Sequence, residues 1–113
     1  MSRPTSIERI RHMRDAISRI DTYVSEMSCV DFEADAKTQD AVISCLMILG
    51  EAVRTIDPDL LERYDYPWGV VRAFRNFIAH EYHAINMERV YHAANDLERL
   101  RSILDRMLET EFR

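Results

Sequence analysis

Turn-forming residues are scarce in this chain, which has only two Gly and three Pro in 113 residues. A sandwich of many short strands needs turn chemistry about every 8 to 12 residues, so that architecture is disfavoured and helices are expected. Cysteine is equally thin. Cys29 and Cys45 fit neither a disulfide framework nor a zinc spacing, and each reads as a lone thiol. No apolar run approaches the roughly 20 residues of a membrane span. No basic-then-apolar leader opens the chain either, because Glu8, Arg9 and Arg11 interrupt its first apolar residues. A soluble, cytoplasmic protein with no membrane partner is the expectation. A positive surplus is also missing: the net charge of −5 runs against the basic balance usual in nucleic-acid modules. The length leaves room for one compact domain over residues 1–113.

The basic residues that are present are unusual in kind, since all but Lys37 of the 15 are Arg, whose planar fork suits phosphate and carboxylate. Charge is also uneven along the chain. Residues 34–66 carry three basic and seven acidic groups, whereas residues 67–113 carry seven of each.

Apolar periodicity predicts an all-α fold. Ile10, Met13, Ile17, Ile20, Val24 and Met27 alternate at spacings of three and four, predicting a helix over about 6–28 that Thr5 and Glu8 open as a capping box. Residues 28–34 read as a connection. A second helix, about 35–56, is apolar on more than one stripe through Val42, Cys45, Leu46, Leu49, Val53 and Ile56 with Ile43, Met47 and Ile48. Asp57-Pro58 starts a short helix to about Tyr64, and Pro67 opens a fourth, bearing Val70, Val71, Phe74, Phe77 and Ile78 and ending near His80. Asn86 caps a last helix, with Ile85 and Val90 as a staple, whose stripe runs through Val90, Ala93, Leu97, Leu100, Leu104 and Met107. Four long helices and one short one, joined by brief connections, specify an antiparallel helical bundle. Methionines 13, 27, 47 and 107 fall on its apolar stripes and read as core.

The fourth helix departs from this pattern. Arg72, Asn76 and His80 follow at i, i+4, i+8 and share a face, with Arg75 one position from Asn76, so two Arg, an amide and an imidazole are expected to converge opposite Val71, Phe74 and Ile78. A solvated helix face with a histidine favourably placed on the helix dipole is the plainer reading of the same spacing. His80, Glu81 and His83 do not form H-E-x-x-H and have no evident third ligand, so no metal is expected there. His12 and His92 lack motif partners and read as surface residues. Glu51 reads as an ion-pair partner of an Arg, Gly50 as a point of close helix approach, and Trp68 as an interhelical anchor.

Residues 75–82, Arg-Asn-Phe-Ile-Ala-His-Glu-Tyr, resemble the R-x4-H-x-Y motif of HepT-like toxins of the HEPN superfamily, small all-helical ribonucleases. Leu49-Gly50-Glu51-Ala52 is similar to that family's Gly-Glu-Ala segment, and Trp68 stands where the family has a Trp ahead of Arg-Asn. Order and spacing match from about Asp40 onward. The resemblance implies a HEPN-type bundle acting as a metal-independent endoribonuclease toxin, without cofactor, in a homodimer whose two motifs face each other across a cleft. It further implies an MntA-like minimal nucleotidyltransferase antitoxin that silences the toxin by transferring AMP to Tyr82.

The residue types suit that chemistry. Cutting RNA without a metal needs a proton taken from the 2′-OH, a proton given to the 5′-oxygen, and positive charge for the transition state. The imidazole of His80 could serve as base or acid, and Arg75 can hold two phosphate oxygens. One motif His per chain is too few for both transfers unless a second copy supplies another. Arg72 could add phosphate affinity, Asn76 could orient His80 or the phosphate, and Tyr82 could hydrogen-bond in the cleft. AMP on Tyr82 would set bulk and negative charge beside an anion site. A non-catalytic HEPN-type module, or a helical dimer partner of a nucleotidyltransferase, is the alternative.

Overall fold

A computed structural model of the chain describes residues 5–80 and 84–112. Glu81, Tyr82 and His83 lie outside them. Helix α1, Ser6–Val24, begins where Thr5 Oγ1 accepts the Glu8 N–H at 3.3 Å. Its stripe is core: Ile10, Met13, Ile17 and Ile20 are wholly buried. The helix ends at Val24, short of Met27, because Ser25 swings to an extended ψ of 129°, and Glu26 follows in a left-handed conformation, φ 61°.

Residues 28–34, expected as a connection, form a helical turn, α2, Cys29–Glu33. Ser28 Oγ accepts the Asp31 N–H and Asp31 Oδ2 accepts the Ser28 N–H, both at 3.1 Å, a reciprocal cap with Asp in the place usual for Glu. Phe32 plugs the core and meets the Tyr91 ring at 5.7 Å.

Helix α3, Ala36–Thr55, is the central element, packed against α1, α2, α5 and α6. Its broad apolar surface is thereby covered on several sides, which accounts for the burial of Val42, Ile43, Cys45, Leu46, Leu49 and Val53. Asp57 caps the short α4, Pro58–Glu62, by accepting the Asp59 N–H at 3.0 Å. Helix α5, Trp68–His80, follows.

The long final helix expected from the stripe is two helices, α6, Met87–Ala94, and α7, Glu98–Glu111. Asn95 ends α6: its N–H reaches the Tyr91 and His92 carbonyls, and Nδ2 donates to Tyr91 O at 2.9 Å. Leu97 keeps a near-helical backbone, so the apolar rhythm runs through the break, with Ala94 rather than Ala93 fully buried.

Directions follow from the cross-links. The Asp57 N–H donates to Ser6 Oγ at 3.1 Å, so α1 starts beside the end of α3. Arg14 pairs with Asp105 at 2.7 Å and Arg101 pairs with Asp21, so α1 and α7 run antiparallel. The fold is the expected all-α bundle, and among the described residues no helix is long and apolar enough to cross a membrane.

Candidate active site

Trp68 fixes the start of α5. It is buried, and its indole Nε1–H donates to Leu61 O at 3.0 Å and Tyr64 O at 3.2 Å, tying α5 to α4. Tyr66 packs on it at 5.1 Å between ring centres, and the Arg99 guanidinium covers Tyr66 at 5.3 Å. Burial, helped by the nearby Asp96, pushes the Tyr66 phenol up from its ordinary value.

From that anchor, helical geometry distributes the side chains. Val71 and Ile78 are buried, whereas Arg72, Asn76 and His80 are exposed along the outer face. No described residue pairs with any of these three. Arg75 does not join them. Its five-residue separation from His80 turns the helix by about 140°, and it lies on the flank toward α3. The expected convergence of four polar groups on one face is therefore corrected to a triplet facing outward and an arginine at the α3 side. Tyr82 lies outside the described residues, as do Glu81 and His83 of the unfavoured metal reading.

Arg75 meets α3 because α3 lacks a side chain at the crossing. A Cβ added to Gly50 would stand 3.0 Å from Val71 O, 3.1 Å from Arg75 N and 3.3 Å from Arg75 Cβ. The next residue, Glu51, then reaches the guanidinium: Oε2 lies 2.8 Å from Arg75 Nε, with Arg54 Nη1 at 3.5 Å from the same oxygen. That oxygen is enclosed, and the Arg75 N–H is not aimed along the contact, so this is a charge pair rather than an aligned hydrogen bond. The side chains of Arg75 and Glu51 remain 42% and 44% exposed. The ion pair expected of Glu51 is present, and Arg54 is a member the sequence reading missed. Its position three residues along the same helix was the available signal.

Two apolar residues of α5 also escape the core. Val70 and Phe77 are 58% and 44% exposed. They border an open groove of about 310 Å³ running between α5 and α6, floored by Leu46, Ile78 and Val90. The sequence pattern puts them on the apolar face of α5, but they sit on its edge toward His80, about 80° around the helix from Ile78 or more.

Chemically, the outer face of α5 offers an anion-binding guanidinium, an amide and an imidazole beside an uncovered apolar strip. Among the described residues no group of three His, Cys, Asp or Glu is placed to hold a metal ion.

Comparisons with known proteins place the chain among ribonuclease relatives. A candidate RNase of Methanocaldococcus jannaschii is 30% identical over 101 residues, covering 84% of this chain and 80% of that one. A probable ribonuclease HepT of Thermococcus cleftensis is 32% identical over 79 residues, 69% of this chain and 72% of that one. A second M. jannaschii protein, named a gamma-glutamylcyclotransferase and candidate RNase, is 24% identical over 88% of this chain, which spans only 46% of its length. No solved structure matches. The family model described as Ribonuclease HepT-like matches residues 13–107, and the chain belongs to that HepT-like ribonuclease family.

Proposed function

We propose that this chain is the toxin of a toxin–antitoxin pair, a metal-independent endoribonuclease that works as a homodimer. The observation that carries the reading is the placement of Arg75 and His80 on different flanks of α5, with Phe77 uncovered on the His80 side and Val70 uncovered nearer the start of the helix. One helix presents this imidazole without a second acid–base group, so a cleft made by two copies, joined through the apolar strip, supplies the missing one. In that cleft one His80 takes the proton of the RNA 2′-OH as its oxygen attacks phosphorus. The other gives a proton to the departing 5′-oxygen, and Arg75 bears the charge gathering on the phosphate oxygens. Arg72 and Asn76, exposed on the same outer face, hold the strand.

The control we propose is AMP transfer from ATP to the Tyr82 hydroxyl by an MntA-like nucleotidyltransferase antitoxin, with pyrophosphate leaving. The phosphodiester would sit two residues beyond His80, where it repels RNA and fills the cleft. Location in the cytoplasm, where RNA and ATP are both present, follows from this role.

The test is RNA cleavage by the purified protein and by Arg75→Ala and His80→Ala, with sedimentation recorded alongside. Loss of cleavage in both variants with retained fold is expected, and cleavage at the parental rate in either sinks the assignment. Coexpression with the nucleotidyltransferase is expected to add mass in multiples of AMP at Tyr82 and to abolish cleavage. A fully modified protein that still cuts RNA rules out the switch. The second reading, a non-catalytic HEPN-type module, draws on the carboxylate already beside Arg75. It predicts RNA-independent association with the nucleotidyltransferase and no cleavage under any condition.

A further inference from the structure

We infer that Glu51 is a positioning residue that sets the direction in which Arg75 meets phosphate. The inference rests on the ribonuclease reading above and specifies how α3 takes part in it. The ion pair closes at Arg75 Nε, 2.8 Å from the carboxylate. A guanidinium offers phosphate either its end, through both Nη groups, or its side, through Nε and one Nη. A carboxylate oxygen this close to Nε crowds the side and repels an anion there, so the pair favours docking through the end.

Three features support a role in arrangement over one in folding. Both partners are more than two-fifths exposed, and ion pairs so exposed add little to stability. The pair is nevertheless built into the helix crossing: Gly50 lets the α5 backbone approach to where its missing Cβ would be 3.1 Å from Arg75 N, which delivers the arginine to its neighbour Glu51. Arg54, at 3.5 Å from the same carboxylate oxygen, adds a second positive charge, so the trio of Arg54, Glu51 and Arg75 keeps a net charge of one plus and still attracts an anion. A lone carboxylate beside a phosphate site would oppose binding, whereas one shared between two guanidiniums orients without cancelling.

The experiment compares Glu51→Ala, Glu51→Gln and Glu51→Asp with the parent for kcat, KM, thermal midpoint and the Arg75 Nε–H resonance in ¹⁵N spectra, and for inorganic-phosphate binding alone and in an Arg75→Ala background. Expected are a loss of about ten- to a hundredfold in kcat for Ala and Gln, partial recovery for Asp, an unchanged thermal midpoint, and no effect of Glu51 on phosphate binding once Arg75 is absent. The Nε–H resonance should shift toward the free-arginine position in the Ala and Gln variants. Parental or raised kcat in Glu51→Ala overturns the inference, as does an equal change in phosphate binding in the Arg75→Ala background. If the parent cuts no RNA, the ribonuclease reading has failed. The resonance and the binding of inorganic phosphate then decide the inference, and a signal indifferent to Glu51 overturns it.

Discussion

The two glycines of this chain stand in opposite surroundings, and the same substitution should act on them with opposite sign. A Cβ at Gly69 meets nothing within 4 Å, so Gly69→Ala in the first turn of α5 should raise stability by about 0.4–1 kcal/mol through reduced freedom of the unfolded chain. At Gly50 two of the three atoms in the way belong to the α5 backbone, which moves only as a whole helix. Gly50→Ala should therefore lower stability by about 1 kcal/mol, overpacking outweighing the gain in helix propensity. It should also reduce RNA cleavage by more than that loss explains, because the shift draws Arg75 away from Glu51. Urea unfolding and cleavage rates check both, and a stabilised Gly50→Ala would show that the crossing has slack. The role of Gly50 was legible because no Gly-rich loop surrounds it, leaving close approach as its use. The flank taken by Arg75 was not, because it was judged by its nearness to Asn76 and not by its angular distance from His80.

Among elements, the starts of α1, α4 and α6 were legible from Thr5, Asp57 and Asn86, and Asp35 caps α3 as they cap theirs, each accepting backbone N–H at its helix start. Asp35 gives this a pH dependence. The Thr38 N–H at 3.0 Å and Thr38 hydroxyl at 2.7 Å hold its carboxyl below the ordinary value of 3.8. A folded pKa below the unfolded one means stability that is present above that ordinary value and lost as pH falls through the folded value. Parent and Asp35→Ala should accordingly differ in thermal midpoint at pH 7, with the gap closing below about pH 4. A gap that stays constant into acid would show that the charge of Asp35 has no part in the cap. The elements that were misread share a cause. Helix α2 is too short to display a period, and the α6–α7 break preserves the period across Leu97, so in neither place does the apolar spacing report the helix boundary. Only the capping residues Ser28 and Asn95 carried that signal.

For the whole molecule, the bundle was legible because its core is a set of long stripes, and the surface was not, because an apolar residue has the same letter whether covered or bare. Val70 and Phe77 illustrate this: counted with the core, they stand uncovered beside the motif. Phe77→Glu should leave the fold intact, since Phe77 stands at the edge of the core and not within it. It should convert a dimer to a monomer in sedimentation and remove cleavage, while a dimeric, active Phe77→Glu would place the pairing surface elsewhere. The offset between Arg75 and His80 has one more consequence on the proposed reading. A solitary chain is inert, so below the pairing constant the number of working clefts grows as the square of the chain's concentration. Halving the dose then quarters the damage, and leaky expression is forgiven while a modest surge is not.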